Sequence, residues 1–169
     1  KRAADDFVKT AGPGPEADGL ALLGVHRLTL DLFARELALL PFARSKIARL
    51  TGLGGAALAA RVVHVTRQAS ALAYFEPVAD TPGFGAAVAR TIRDVREAEV
   101  ESAAIEALGA GGVDLRRLLA NYERELWSLG LADRAQTLRV AADVAAKREH
   151  PLVNMPLVLL DVWPESVAE

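Results

Sequence analysis

The apolar positions of this chain recur mainly three and four residues apart, which is the spacing of amphipathic helices. Glycines and prolines separate the apolar stripes and indicate helix ends. Thr29 suits the N-cap of a helix that Pro41 is expected to stop, and Asp114 is expected to cap another. The predicted helices cover Ala3–Ala11, residues 30–40, Gly55–Phe75, residues 84–95, Ser102–Leu108, residues 115–129 and Ala132–Lys147.

Two segments are apolar without a helical period. One is "LALLGVHRLTL" at residues 20–30, predicted to be a strand ending near Thr29, and the other is Leu157–Val162. Continuous apolar runs are typical of parallel strands covered on both faces, so we predict that Val25–Thr29 and Leu157–Val162 share one parallel sheet. The helical excursion between them is too long for a simple βαβ connection. The predicted fold class is therefore α/β and predominantly helical, with a small parallel sheet and a large inserted helical subdomain.

Composition narrows the function classes. The 169 residues carry 51% hydrophobic and 25% charged side chains and a formal net charge of -2, so no global basic field favours nucleic acid and any DNA contact must be local. Cysteine is absent, which excludes disulfides and thiolate chemistry. His26, His64 and His150 share no metal-ligand spacing, so no metal site is predicted. No apolar run approaches the ~20 residues of a membrane span, and the N-terminus lacks the apolar part of a signal peptide, so a cytoplasmic location is expected.

One carboxylate ends the last apolar run, where Leu157–Leu160 leads into Asp161. Four apolar residues followed by Asp have the form of a Walker B element, which brings a carboxylate to Mg²⁺ and phosphates at the C-terminal edge of a parallel sheet. An aspartate that begins a turn gives the same pattern, so both interpretations stay open. The sequence contains no G-x-x-x-x-G-K-[ST] phosphate-binding loop, which argues against ATP hydrolysis by this chain.

Residues 122–142, followed by the run into Asp161, resemble the segment that precedes the Walker B strand in the UvrD-like helicase superfamily. The resemblance is greatest to the degenerate helicase half of AddB-like proteins, which are bacterial helicase–nuclease subunits with a PD-(D/E)XK nuclease domain. Those proteins show a Tyr-Glu pair, a Leu, and then Gly-Leu-x-Asp opening a helix. The matching positions are Tyr122, Glu123, Leu126, Gly130, Leu131 and Asp133.

Two further segments carry the resemblance. Gly24–Ala38 is similar to the strand-Thr-helix element after the phosphate-binding loop, with Thr29 in the Thr position, and Tyr74–Phe84 is similar to part of the helical insertion. Two positions depart from the family. Asp31 stands where the family has a histidine, and its charge would repel DNA; Val162 stands where active helicases have a catalytic glutamate.

The resemblance implies a sheet of the P-loop-NTPase type and a division of the chain into three parts. Residues 1–40 would belong to the helicase-like α/β core, residues 41–130 would form the inserted helical subdomain, and residues 131–169 would return to the core. The chain would then be a fragment of a larger protein that ends just beyond a Walker B-like strand.

The resemblance also implies an inactive helicase-like module that scaffolds and handles DNA in a helicase–nuclease of double-strand break repair and recombination. Asp161 would be the vestige of a nucleotide site, and Arg27 and Thr29 would contact DNA. No catalytic residue and no cofactor are expected in the chain, with ATP and Mg²⁺ bound only if the parent has an upstream phosphate-binding loop. The parent would be a cytoplasmic hydrolase, an exonuclease or helicase, that binds DNA together with a partner helicase or nuclease subunit.

Two alternatives stay open. One is an all-α protein–protein interaction module with no nucleotide ancestry. The other is a fragment of an active ATP-dependent helicase, against which Val162 argues. Under the favoured interpretation the isolated chain does not hydrolyse ATP, and its binding to single-stranded DNA is weak and salt-sensitive or undetectable.

Overall fold

Over residues 26–164 and 166–169, which the computed structural model describes, the chain is predominantly helical. The elements in chain order are α1 (Leu30–Ser45), β1 (Ala48–Arg49), α2 (Gly52–Gln68), a 3₁₀ turn (Glu76–Val78), α3 (Phe84–Glu97), α4 (Ser102–Glu106), α5 (Ala110–Ser128), β2 (Leu131–Ala132), α6 (Arg134–Ala146) and a second 3₁₀ turn (Pro151–Asn154). The helices predicted for these residues are present, with shifted ends. The helix predicted at Ala3–Ala11 lies outside the described residues.

The ends of α1 show one confirmed and one wrong prediction. Thr29 caps the helix as expected, since its Oγ1 accepts a hydrogen bond from the backbone N–H of Leu32 at 3.2 Å. Pro41 does not stop the helix, which continues to Ser45. Proline removes its own N–H from the helical ladder and crowds the carbonyl of the residue four positions earlier, but the buried side chain of Phe42 holds the following turn against Ala38 and Ala132.

The other shifted ends have local causes. Helix α2 ends at Gln68 and not at Phe75, because the chain reverses at Ser70 in a left-handed conformation with φ of 51°. Asp114 does not cap a helix, because α5 begins four residues earlier and Asp114 lies buried inside it.

Gly112 explains how α4 and α5 come so close together. A Cβ atom at this position would lie 1.9 Å from the backbone carbonyl oxygen of Ile105. Only glycine fits there without moving one of the two helices.

The predicted sheet of Val25–Thr29 with Leu157–Val162 is wrong over the described residues. Residues 26–29 and 157–162 contain no strand, while residues 20–25 of the first predicted strand lie outside the described part of the chain. The parallel pair is instead formed by β1 and β2, in the register Ala48 with Leu131 and Arg49 with Ala132. Helices α2 to α5 lie between these strands in sequence, so a long helical excursion does connect two parallel strands.

The core has a large part among α2, α3, α4 and α5 and a smaller part between α1 and α6. The buried residues of the large part are Leu58, Ala59, Val62, Val63, Leu72, Val88, Ile92, Ile105, Leu118, Leu119, Tyr122 and Leu126. Ala34 and Leu37 of α1 pack with Leu138, Ala141 and Val144 of α6. In the described part of the chain, no helix is both long and apolar enough to cross a membrane.

Candidate functional site

The three residues predicted to form sites, Arg27, Thr29 and Asp161, have different surroundings in the structure. Thr29 uses its hydroxyl oxygen to cap α1, and Arg27 precedes it as an exposed side chain. Asp161 is exposed and takes a left-handed backbone conformation with φ of 51°. Within residues 26–164 and 166–169, no hydrogen bond or ion pair joins Asp161 to Arg27 or Thr29. The same residues contain no group of three His, Asp or Glu side chains that could hold a metal ion.

Asp161 lies in an apolar segment that is held at both of its ends. Before it, Leu152 and Val153 pack against the core between α1 and α6, and after it Ala168 packs there and donates its N–H to the carbonyl of Glu97 at 3.0 Å. Between these anchors the side chains of Leu157–Leu160 are 55–74% exposed and Trp163 is 82% exposed. Four consecutive exposed apolar residues are unusual for a free surface and indicate a surface that another element covers.

The residues that carry the resemblance meet around a different side chain, Arg96 of α3. Its guanidinium is 5% exposed, its Nε lies 2.6 Å from Oδ2 of Asp133, and its Nη1 is ion-paired with Glu123. Asp133 also caps α6, since its Oδ1 accepts from the N–H of Gln136 at 3.0 Å. Arg139 donates to the carbonyl of Arg96 at 3.2 Å. One buried cation therefore ties α3, α5 and α6 together.

The charges of this cluster are balanced inside the protein. Burial by itself lowers the pKa of Arg96, but the hydrogen bond and charge of Asp133 outweigh burial and hold the pKa above its ordinary value. Burial also raises the pKa of the neighbouring Tyr122 phenol to about 12, with Asp133 adding to the shift and Arg96 opposing it. At all ordinary pH values the arginine is cationic and the tyrosine is neutral. Neither group therefore exchanges a proton near pH 7, and both have a structural role.

An open cleft of about 550 Å³ lies beside the Arg96 cluster. Glu123, Leu126, Gly130 and Leu131 of the resemblance motif line it, and Trp127 stands at it with its side chain 86% exposed. The positive φ of Gly130, 61°, turns the chain from α5 into β2 at this point. The motif thus builds the α5–β2–α6 turn and one wall of the cleft.

Asp114 forms a second internal cluster, made of hydrogen bonds to its carboxylate. Its Oδ2 accepts three backbone hydrogen bonds, from the N–H groups of Ala73, Tyr74 and Phe75 at 3.0, 2.8 and 3.1 Å. The carboxylate therefore fixes the loop after α2 against α5. Tyr74–Phe84, which also carries the resemblance, begins at this clamp.

A third cluster centres on Arg134 at the start of α6. Its Nη1 lies 2.5 Å from Glu97 and its Nε lies 3.5 Å from Asp31, and it is also paired with Glu169. Burial raises the pKa of Glu97 and outweighs the attraction of Arg134 and Arg93, and Glu169 adds to the increase. The arginine links α1, α3 and α6 to the last described residues.

Sequence reasoning missed Arg96, although a signal was present. Val88, Ile92 and Arg96 are four residues apart on one face of α3, so the arginine continues a buried apolar stripe. Asp114 likewise shares a face with Leu118 and Tyr122 on α5. A charged residue in apolar register has to find a buried partner, and this rule would have marked both positions.

The comparisons with known proteins identify no relative. No family model, no curated protein and no solved structure matches this chain.

Proposed function

We propose that this chain is a catalytically inactive, helicase-like module that scaffolds and handles DNA in a bacterial helicase–nuclease of double-strand break repair and recombination. The parent protein is then a cytoplasmic hydrolase of the AddB-like, UvrD-related type with a PD-(D/E)XK nuclease domain. It engages DNA as the full-length protein and works with a partner helicase or nuclease subunit.

The observation that carries this proposal is the use made of the resemblance motif. Glu123 and Asp133 hold Arg96, Tyr122 and Leu126 are buried in the core, and Gly130 makes the turn into β2. A motif whose two carboxylates are engaged in internal pairs builds a framework and leaves neither acid free for chemistry. A scaffold derived from a helicase would use the motif in this structural way.

The exposed apolar segment supports the finer part of the fold proposal. Leu157–Val162 carries apolar side chains on both faces, and over the described residues its backbone groups make no hydrogen bond with other elements. A strand of this kind is stable in a parallel sheet covered on both faces. We propose that the segment joins such a P-loop-type sheet in the larger protein, with Asp161 at the edge where a nucleotide would lie in an active relative.

Two assays on the purified chain test the function. The proposal predicts no DNA-stimulated phosphate release from ATP, because the sequence lacks the phosphate-binding loop and has Val162 after Asp161. It also predicts that labelled single-stranded DNA binds weakly, with an affinity that falls steeply as salt increases, or does not bind detectably. ATP hydrolysis that Asp161→Ala abolishes would favour the active-helicase alternative. Tight DNA binding that rising salt does not weaken would contradict the proposal.

A further inference from the structure

The basic side chains of this protein are distributed unevenly between two regions. Residues 26–50, which contain α1 and β1, carry five basic and two acidic side chains, whereas the rest of the chain carries more acidic than basic ones. In the described part of the chain, none of the five forms an ion pair. The five are Arg27, Arg35, Arg44, Lys46 and Arg49.

The arginines of the other region are mostly engaged. Eight of them pair with carboxylates of the described residues, so their charge is already neutralised. These are Arg61, Arg67, Arg93, Arg96, Arg116, Arg117, Arg134 and Arg139. An external anion therefore finds free guanidinium groups on the α1–β1 side.

Arg49 is held in place by the sheet. It pairs with Ala132 across the β1–β2 ladder, and the next residue, Leu50, donates its N–H to the carbonyl of Ala132 at 2.8 Å. The side chain of Arg49 is half-buried, and its Nε is buried without a hydrogen-bond partner in the described residues. A buried donor without a partner carries a desolvation cost, which an acceptor that arrives from outside would remove.

Arg35 lies within electrostatic range of Arg49 in the folded protein. Burial lowers the pKa of Arg49, and the positive charge of Arg35 lowers it further, while Asp31 opposes both. Asp31 is one helical turn before Arg35 on α1, but it is shared with Arg134 at 3.5 Å. The positive charges of Arg35 and Arg49 thus act on each other, and the carboxylate of Asp31 that opposes them also pairs with Arg134.

We propose that Arg35 and Arg49 form an anion-binding corner whose occupant is a backbone phosphate of single-stranded DNA. This inference rests on the proposed function and names the surface that would handle the strand. The planar fork of a guanidinium matches the oxygens of a phosphate, and two forks hold one phosphodiester from two sides. Arg27, Arg44 and Lys46 belong to the same short segment, and five free cations suit a polyanion better than a single carboxylate.

The test compares the wild type with Arg35→Gln/Arg49→Gln in titrations of a labelled oligothymidylate. Each lost phosphate contact removes about 0.7 from the slope of log affinity against log salt. At about 25 mM salt, loss of both contacts corresponds to roughly 100-fold weaker binding. Arg90→Gln is the matched control, since Arg90 is exposed and has no ion pair with the described residues but lies on α3. Its affinity should stay close to that of the wild type.

The Nε–H resonance of Arg49 gives a second, direct readout. It should shift when the oligonucleotide is added and shift less in Arg35→Gln. Far-UV circular dichroism checks folding, and if Arg49→Gln does not fold, Arg49→Lys and Arg35→Gln carry the comparison. Arg49→Lys keeps the charge and loses the fork, so it should bind less tightly than the wild type.

The outcomes separate the corner from the proposed function. Equal DNA binding by the wild type and the double variant would overturn the corner and leave the proposed function standing. If DNA does not bind but inorganic pyrophosphate shifts the Arg49 resonance, the nucleic-acid occupant is wrong. Polyglutamate that competes as well as DNA of equal charge would identify an acidic peptide as the occupant and overturn the proposal. No response to any of these probes would overturn the corner, whereas ATP hydrolysis by the chain would overturn the proposed function.

Discussion

In the described residues, the arginines of helices α2 to α6 are mostly paired with carboxylates, whereas those of the α1–β1 segment form no ion pairs. In the first region Arg96 is 5% exposed and lies against Asp133 at 2.6 Å, and most of its neighbours also have acidic partners. In the second region Arg35 and Arg49 are near each other and have no such partner in the described residues. The first arrangement fixes helices relative to one another, and the second leaves charge free for a ligand.

The two regions differ in how far along the chain the acidic partner of an arginine lies. Arg96 reaches Asp133, which is 37 residues later in the chain, whereas Arg35 has Asp31 one turn away and still leaves an excess of positive charge. Most exposed ion pairs contribute only about 0–1 kcal/mol. Arg96 should be the exception in the first region, because without it the largely buried carboxylate of Asp133 would have lost its counter-ion.

The largest effect is therefore expected from Arg96→Met. The change leaves Asp133, whose side chain is 13% exposed, without its counter-ion, and we expect the free energy of unfolding to fall by about 3–5 kcal/mol. Urea denaturation measures it. Arg93→Met on the same helix is the control, because the side chain of Arg93 is 56% exposed, and it should change stability by less than about 0.5 kcal/mol. Equal midpoints for the two variants would show that Arg96 does not hold the first region together.

Asp114→Ala should have the second largest effect. It removes the acceptor of three backbone N–H groups, and we expect a loss of about 2–3 kcal/mol. Hydrogen exchange should become faster at the amides of Ala73, Tyr74 and Phe75. Asp94→Ala, at a side chain that is 67% exposed, serves as the control. Unchanged exchange at these three amides would contradict the clamp.

Because the phenol of Tyr122 is buried, we expect the protein to lose stability at high pH. Because burial raises its pKa from 10.0 to about 12, the folded state favours the neutral phenol. The stabilising contribution is complete below pH 10 and is lost as the pH rises from 10 to 12, by about 3 kcal/mol. Tyr122→Phe should remove this part of the pH dependence. The phenolate absorbance of a Tyr74→Phe variant reports the titration of Tyr122 alone, and ionisation near pH 10 in the folded protein would disagree with its burial.

Sequence periodicity could predict the helices but not the contacts that decide the candidate sites. The stripe of Val88 and Ile92 places α3 correctly, and Thr29 gives the start of α1. The prediction of the two strands was wrong over the described residues for a physical reason. An apolar run such as Leu157–Leu160 specifies burial on both faces, yet pairing depends on a neighbouring strand, and the described residues offer it none. The actual strands have two residues each and carry no period that could be recognised.

The basic corner could not be predicted either. Arg35 lies on α1 and Arg49 on β1, and no period of the sequence shows that the chain returns after α1 to bring β1 within electrostatic range of Arg35. The sequence suggested Arg27 and Thr29 from the resemblance alone. The structure uses the hydroxyl oxygen of Thr29 for a helix cap and leaves Arg27 exposed next to the corner's helix.

Glu97 should give the smallest effect, at the Arg134 cluster that connects the two regions. Its pKa is raised above 4.5, mainly by burial, with Arg134 and Arg93 opposing the shift and Glu169 adding to it. The folded state thus favours the protonated carboxyl, and this contribution to stability is present below the unfolded pKa and lost as pH rises through the folded one. Glu97→Gln should gain stability relative to the wild type between about pH 4 and pH 7. A relative loss over the same range, measured by thermal unfolding, would mean that the pair with Arg134 outweighs burial.

The affinity of Asp31→Asn for single-stranded DNA tests the central claim most directly, because it predicts a gain that misfolding cannot imitate. The change removes a carboxylate whose charge opposes that of Arg35 at Arg49, and it also releases Arg134. Asparagine keeps the size of the side chain, and loss of the first-turn charge costs the helix only about 0.3–1 kcal/mol. At about 25 mM salt we predict binding roughly tenfold tighter than that of the wild type, with a steeper salt dependence. Unchanged or weaker binding would show that the strand does not pass over α1 and β1.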